Sequence, residues 1–350
     1  MSTFNAIPIV DIQALGGHDP GAHSRVIDAL RAAASQVGFL YVTGHGVPDA
    51  LIAQIIAAAK AFFALSEAEK MKVFIGNSRN HRGYVPEGEE VFAGKTPDRK
   101  EAFDLSFDLS ENDEDYRRGN PLLGPNQWPE GLPGFRVAVM EYYAALYALG
   151  RRVLRGFSEA LGLEANALDG LVTKPPSQLR LIHYPFHADR MDRPGIGAHT
   201  DYELFTLLLP TAPGLEVLNG EGEWIDAPPA PGAFTVNIGD MLEVLSNGIF
   251  TATSHRVRSV NEERYSFPFF FSCDYSTKVR PLPQFVTAHR PAAFGEIVAG
   301  EHLHAQTVQT FKYLRERRDR GEIQLPENTL GLSSFGREAR VAPSSVAQKN

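Results

Sequence analysis

Two periods of hydrophobicity divide this chain. In its first part, apolar residues recur at helical spacing. Val26, Leu30, Ala33 and Val37 form one such stripe, set between extended runs at 7–12 and 38–43. A second helix is predicted from Pro48, a residue suited to a first helical turn, to about Leu65. Residues 79–98 are rich in Gly, Pro and charge and read as a long loop, of a length at which loops are often functional. After Gly134, the residues Leu146, Leu149, Val153, Phe157 and Ala160 fall on one face of a long helix, a scaffold for the core.

Beyond Pro175 the period changes. Short β-like runs at 178–184, 197–201, 204–209, 215–218, 233–238, 253–257 and 264–274 are separated by Gly, Pro and Asn turns. Many short strands at this spacing predict a sandwich, a barrel or a jelly roll. A last helix around 302–320 is expected to pack outside it, and the stretch after Gly336 to be poorly ordered.

Composition narrows the class. With 350 residues, 43% hydrophobic and 22% charged, the core is large enough to hold a dry site without cross-links. The one cysteine, Cys273, excludes an internal disulfide and a cysteine-rich zinc site. The net charge is -8, and the basic run RERRDR (315–320) alternates with acids, which argues against nucleic acid as a partner. No apolar run approaches the ~20 residues of a membrane span, and MSTFNAIPIVDI lacks the features of a secretion signal, so a cytoplasmic protein is expected.

His199-Thr200-Asp201 changes the picture more. In an extended segment, residues 199 and 201 share a face, so an imidazole and a carboxylate form two corners of a metal site. A third ligand must come from elsewhere, and His255, at the head of His-Arg-Val, is the best candidate. Two histidines and a carboxylate on one side of an ion leave positions open for oxygen and a co-substrate, as non-haem iron(II) requires. By itself a His-x-Asp pair is weak, because most of the 11 histidines must be solvated or structural.

The run RYSFPFFFSCD (264–274) adds weight. Alternation puts Arg264, Ser266 and Phe270 on one face, and Tyr265, Phe267, Phe269 and Phe271 on the other. A buried guanidinium needs an anion. Either a ligand carboxylate meets it, with Ser266 adding a hydrogen bond, or an Asp or Glu of the chain does.

The segments GFLYVTGHGVP (38–48), RGYVPEGEE (82–90), KEAFDLSF (100–107), LRLIHYP (179–185), GIGAHTDYELFTLLL (195–209), NIGDMLEVLSNGIFTATSHRV (237–257) and RYSFPFF (264–270) follow one another in this order along the chain. Together they resemble the isopenicillin N synthase-like branch of the iron(II)/2-oxoglutarate-dependent dioxygenase superfamily. The resemblance implies a mainly β protein with flanking helices, whose core is a distorted double-stranded β-helix, a jelly-roll relative. It implies a single oxygenase domain over 1–350. Within it lie a mixed α/β region at 1–130, a scaffold helix at 134–165, the jelly-roll core at 175–290, a C-terminal helix at 296–320 and a flexible tail at 337–350.

The same resemblance assigns His199, Asp201 and His255 to Fe(II). It assigns Arg264 and Ser266 to the far carboxylate of 2-oxoglutarate, with Tyr184 nearby. Arg180 shares the strand face of Tyr184, and in some relatives an arginine there approaches the iron-bound end of the co-substrate. The turn at Gly239-Asp240 reads as structural. The implied reaction uses O2 and 2-oxoglutarate to oxidise a C–H bond of a small molecule by hydroxylation, desaturation or cyclisation, with release of succinate and CO2.

Substrate contacts in the family come from the strand EAFDLSF, the loop before it and the Phe270 face. Asp104 is suited to a cationic or hydroxylated group, and Arg82, Glu90 and Phe92 come from the loop. Phe205 and Phe270 are candidate pocket aromatics, although solvated loops and core packing account for the same residues. His81 stands where isopenicillin N synthase has a substrate-binding arginine. GEEVFAGK and GIGAHTDY are similar to the bacterial ethylene-forming enzyme, from which Phe92 and Tyr184 depart. Oxidation of the ethylene-forming or isopenicillin N synthase type is therefore an alternative, and a catalytically idle metal-binding jelly roll is the alternative outside catalysis. The substrate and the oligomeric state are not legible.

Overall fold

The computed structural model describes residues 3–91, 100–185, 196–258 and 262–326; Phe92 and the 337–350 tail lie outside them. The chain opens with β1 (Ile9–Asp11), α1 (Pro20–Gln36), β2 (Phe39–Thr43), α2 (Asp49–Phe63) and α3 (Glu67–Met71). It continues through β3 (Gly83–Val85), β4 (Glu101–Leu105), α4 (Glu114–Arg117) and α5 (Phe135–Ala160). The second half carries β5 (Gln178–Tyr184), β6 (Ile196–His199), β7 (Phe205–Pro210), β8 (Leu215–Leu218), β9 (Trp224–Asp226) and β10 (Phe234–Ile238). Then come α6 (Asp240–Leu245), β11 (His255–Val257), β12 (Arg264–Phe271), β13 (Lys278–Val279), β14 (Ile297–Val298), α7 (Ala299–Thr310) and α8 (Lys312–Asp319).

Local chemistry sets the helix starts. The Asp19 carboxylate accepts hydrogen bonds from the N–H groups of Gly21 and Ala22, and Pro20 occupies the first turn of α1. Gly134, at φ 86°, makes the left-handed turn into α5 that favours glycine.

Eight strands form one sheet in the order β1-β2-β10-β7-β12-β5-β4-β3, and four form a second, β6-β11-β8-β9. The sheets meet through Phe39, Tyr41 and Leu208 of the first and Leu215 and Val217 of the second, which gives the expected jelly-roll core. The outer face of the large sheet rests on α5. There Phe267, Phe269 and Phe271 meet Tyr142, Tyr143 and Tyr147. Each of these fully buried phenylalanines stabilises the fold by roughly 1.5–3 kcal/mol through area burial. Alternation then commits Arg264, Ser266, Pro268 and Phe270 to the interior between the sheets.

The structure departs from the sequence reading at several places. The 79–98 loop contains β3, whose Tyr84 pairs with Phe103 of β4. The strand predicted at 197–201 ends at His199, so Asp201 lies just beyond it. The last helix is two helices that break at Phe311, where the backbone is extended (φ -90°, ψ 130°). There Val91 donates to the Thr310 carbonyl at 2.9 Å and Lys312 to the Glu89 carbonyl at 3.1 Å, so a short bridge to the loop replaces helical bonds. These helices do not merely pack outside the core. Leu303, Thr307, Thr310 and Phe311 line an interior cavity. No helix among the described residues is long and apolar enough to cross a membrane.

Candidate metal and co-substrate site

His199 ends β6, His255 begins β11, and the two residues face each other across the antiparallel pair. Asp201 Oδ1 lies 3.6 Å from the Nε2 atom of each histidine. One ligand atom from each of the three residues falls within 4.8 Å of the others. The Nδ1 of His199 lies 2.8 Å from the Gly197 carbonyl, and that of His255 lies 3.2 Å from the Thr253 carbonyl. A carbonyl only accepts, so each Nδ1 carries a hydrogen, and each Nε2 is the ring atom turned to the shared point.

Asp201 is oriented in the same way. Its Oδ2 accepts from Thr206 at 2.5 Å and from Asn237 at 2.7 Å, residues in register on β7 and β10. That leaves Oδ1 for an ion. Burial opposes the charged form, but His255, His199 and these two hydrogen bonds hold the carboxyl below the ordinary aspartate range. The start of α6 pins the segment from behind. Asp240 N–H donates to the Asp201 carbonyl at 2.8 Å, and a Cβ on Gly239 would lie 2.2 Å from the Glu203 carbonyl oxygen. The glycine is required by close approach, consistent with the structural role expected of this turn. Two imidazoles and one carboxylate with converging ligand atoms suit iron(II).

Beside these ligands lies a cavity of about 590 Å³, lined by Tyr184, Arg264, Ser266 and Phe270 together with Leu208, Leu215 and Val257. Arg264 is 1% exposed. Its Nε donates to the Ala212 carbonyl at 3.2 Å, its guanidinium carbon stands 4.7 Å from the centre of the Tyr184 ring, and its Nη1 is buried without a partner. Burial pulls its pKa down, with only Tyr184 acting against that, and no acid among the described residues pairs with it. Of the two anions considered for Arg264, the one supplied by the chain itself is therefore absent among these residues. A dicarboxylic acid fits the orphaned donor.

Arg180 lines this cavity with its charge already answered within the chain. Its Nε lies 2.7 Å from Asp104 Oδ1, its Nη1 lies 3.0 Å from Glu90 Oε2, and its Nη2 bonds both carboxylates. Lys100 adds a second cation 2.9 Å from Glu90. Despite burial, Arg180 and Lys100 hold Glu90 down at about 2. Arg180 is thus the hub of an internal charge network on the wall of the cavity that Arg264 and Ser266 line.

A second cavity of about 800 Å³ also reaches His199 and Asp201, with Arg180, Glu90 and Phe270 on the lining of both. Phe270 lies where the sequence suggested. Glu90 lines the wall, but as a partner of Arg180 and Lys100. Asp104, 0% exposed, is an internal counterion and not a free substrate contact. Phe205 is not on the wall; it stacks on Phe271 at 4.9 Å and meets Phe157 edge-on, because its side chain turns to the α5 face. Arg82 lines the cavity, with its terminal nitrogens on the carbonyls of His81 and Leu122. Sequence reasoning missed Tyr202, Glu203, Thr307, Thr310 and Phe311. Glu203 had a signal in the 199, 201, 203 spacing; the helix residues had none, since nothing local shows where a distant helix docks. Burial and the nearby Asp201 charge push the Glu203 carboxyl up to about 8.

A jelly roll that converges two imidazoles and a carboxylate beside a buried, unpaired arginine defines a mononuclear metal oxygenase with an organic-acid co-substrate. A family model described as non-haem dioxygenase in morphine synthesis N-terminal matches residues 7–131, and one described as 2OG-Fe(II) oxygenase superfamily matches 175–272. A homoarginine-6-hydroxylase of Glycine max is 37% identical over 330 residues, which span 88% of this chain and 98% of that protein. A 2OG-Fe(II) oxygenase family protein of Caulobacter crescentus superposes with TM-score 0.77 at 32% identity, over 87% of this chain and 99% of the other. A Neurospora crassa protein solved in complex with alpha-KG superposes with TM-score 0.74 at 25% identity, over 86% and 95%. The chain belongs to the 2OG-Fe(II) oxygenase superfamily and is a 2-oxoglutarate-dependent dioxygenase that uses iron(II) and O2.

Proposed function

We propose that His199, Asp201 and His255 hold the iron, and that Arg264, Ser266 and Tyr184 seat the far carboxylate of 2-oxoglutarate. We further propose that the enzyme hydroxylates an aliphatic C–H bond of a small, amino-acid-like molecule in the 800 Å³ cavity. The observation that carries this reading is Arg264: a guanidinium buried beside the ligand set with a donor that nothing in the described chain uses. Bound iron with 2-oxoglutarate and O2 supplies the oxidant for the C–H bond. The chain supplies placement. Arg264 and Ser266 fix one end of the keto acid, while Leu208, Leu215 and Val257 keep that cavity apolar and short of water. The shared wall at Arg180, Glu90 and Phe270 gives the substrate a compartment of its own next to the same metal ligands. Hydroxylation is preferred over desaturation or cyclisation because the Glycine max relative is named a hydroxylase, and its named substrate is an amino acid.

The test is anaerobic addition of iron(II) and then 2-oxoglutarate, followed by admission of air with a panel of amino acids. The expected result is the weak visible charge-transfer band of an iron–keto acid chelate, and succinate formation that the right amino acid accelerates. A protein that shows no band and holds zinc tightly without turnover would overturn the reading.

A further inference from the structure

The substrate-side cavity is lined by two buried ionisable side chains, the Glu203 carboxyl and the Arg82 guanidinium, that no opposite charge among the described residues pairs with. Glu203 lies two positions after Asp201, lines the same cavity as His199 and Asp201, and is 9% exposed. The acids Asp201 and Asp240 stand near it, and no lysine, arginine or histidine pairs with its carboxyl among the described residues. The other acids on this lining are occupied. Asp201 belongs to the metal set, and Glu90 is held by Arg180 and Lys100. On the same lining, Arg82 is 1% exposed, with two nitrogens on main-chain carbonyls, its Nε without a partner, and no ion pair to a described acid.

Burying a carboxylate without a cation is costly, and so is burying a guanidinium without an anion. A neutral ligand would pair with neither group, and a simple cation would be repelled by Arg82. A small zwitterion answers both. We propose that Glu203 anchors a cationic nitrogen of the substrate, and that the substrate is an amino acid with a basic side chain whose carboxylate answers the charge of Arg82. Guanidinium and amidinium groups suit this anchor best, because a carboxylate takes them through two parallel hydrogen bonds. Glu203 sits beside Asp201 in the chain and shares its cavity, so the cationic end of the molecule lies at the metal end. The inference deepens the oxygenase reading above and rests on it.

The test is calorimetric titration of the anaerobic enzyme, loaded with iron(II) and 2-oxoglutarate, with five probes. These are L-arginine, L-homoarginine, L-lysine, the neutral isostere L-citrulline and the decarboxylated agmatine. At least one basic amino acid is expected to bind roughly tenfold or more tightly than citrulline and agmatine. Glu203→Gln keeps size and loses charge; it should abolish the preference over citrulline, with the chelate band and 2-oxoglutarate affinity unchanged. Glu203→Asp should retain part of the preference. Equal affinity of Glu203→Gln and wild type for the basic probe overturns the proposal. If Glu203→Gln does not fold, the wild-type comparison of arginine with citrulline decides by itself. A normal band with no preference for any basic probe overturns this proposal alone, whereas absence of the band in wild type overturns the oxygenase reading and this proposal with it.

Discussion

Arg264 and Arg180 stand on paired strands, β12 and β5; Arg264 is fully buried and the Arg180 side chain is 12% exposed, yet their surroundings are opposite. Arg180 is held by two carboxylates, Asp104 and Glu90, and its charge is answered within the chain. Arg264 meets a carbonyl and the face of a tyrosine, and one of its nitrogens meets nothing. A buried cation already paired offers a ligand little, since binding only exchanges one anion for another. A buried cation without an acid gains most from an incoming carboxylate. The first arginine therefore builds a wall between two cavities, and the second furnishes one of them.

That contrast can be broken most severely at Arg180. Arg180→Met is expected to lower folding stability by about 3–5 kcal/mol, because Asp104 loses its cation at a fully buried position. Denaturant unfolding would measure it, and adding Asp104→Asn and Glu90→Gln should restore most of the loss. A stable Arg180→Met single variant would sink the description of this residue as a hub. At Arg264 the signs separate. Arg264→Ala is expected to weaken 2-oxoglutarate binding about a hundredfold while iron is retained. Arg264→Met should leave the ligand-free protein as stable as wild type or more so, because it removes an unanswered charge. Iron loss without a change in keto-acid affinity would contradict the assignment.

The Glu90 pairing should also be visible in acid. Its folded pKa, about 2, lies below the ordinary 4.5, so the stability it contributes is full above 4.5 and is lost as pH falls toward 2. Glu90→Gln should flatten that part of the stability profile in acid unfolding. An unchanged acid limb would show that the pairing contributes nothing. The smallest effect is expected at Ser266→Ala. Losing one hydrogen bond to the keto acid should raise its apparent KM threefold to tenfold, on the order of 1 kcal/mol. A loss as large as that of Arg264→Ala would mean the serine does more than assist.

Much of this arrangement was legible before any coordinates. Strands β5 and β8 lie where alternation placed them, and the two faces of β12 divide as read. The candidate metal set was read from His199 and Asp201 sharing a face and from His255 as the best third ligand, and these three residues do converge. Reading failed where one pattern admits two environments. Phe205 and Phe270 are both aromatics on strands, yet one stacks in the core and the other lines both cavities. Asp104 and Glu90 are acids near the site, and their occupation by Arg180 depends on β4 and β5 meeting in register with Asp104 opposite Arg180. Thr307, Thr310 and Phe311 carried no local sign of reaching the cavity.

The sequence by itself determined what its local periods and residue types can encode. These are the strand faces, the scaffold helix, the His-x-Asp pair and the need of a buried Arg264 for an anion. Tertiary structure decided which charges answer one another. It closed Arg180 onto Asp104 and Glu90, left Arg264 and Glu203 without an opposite charge among the described residues, and brought α7 and Phe311 over the second cavity. The physical reason is that a charge's cost and use depend on what lies within a few ångströms of it. Those neighbours come from segments tens to hundreds of residues apart, where no local pattern reaches.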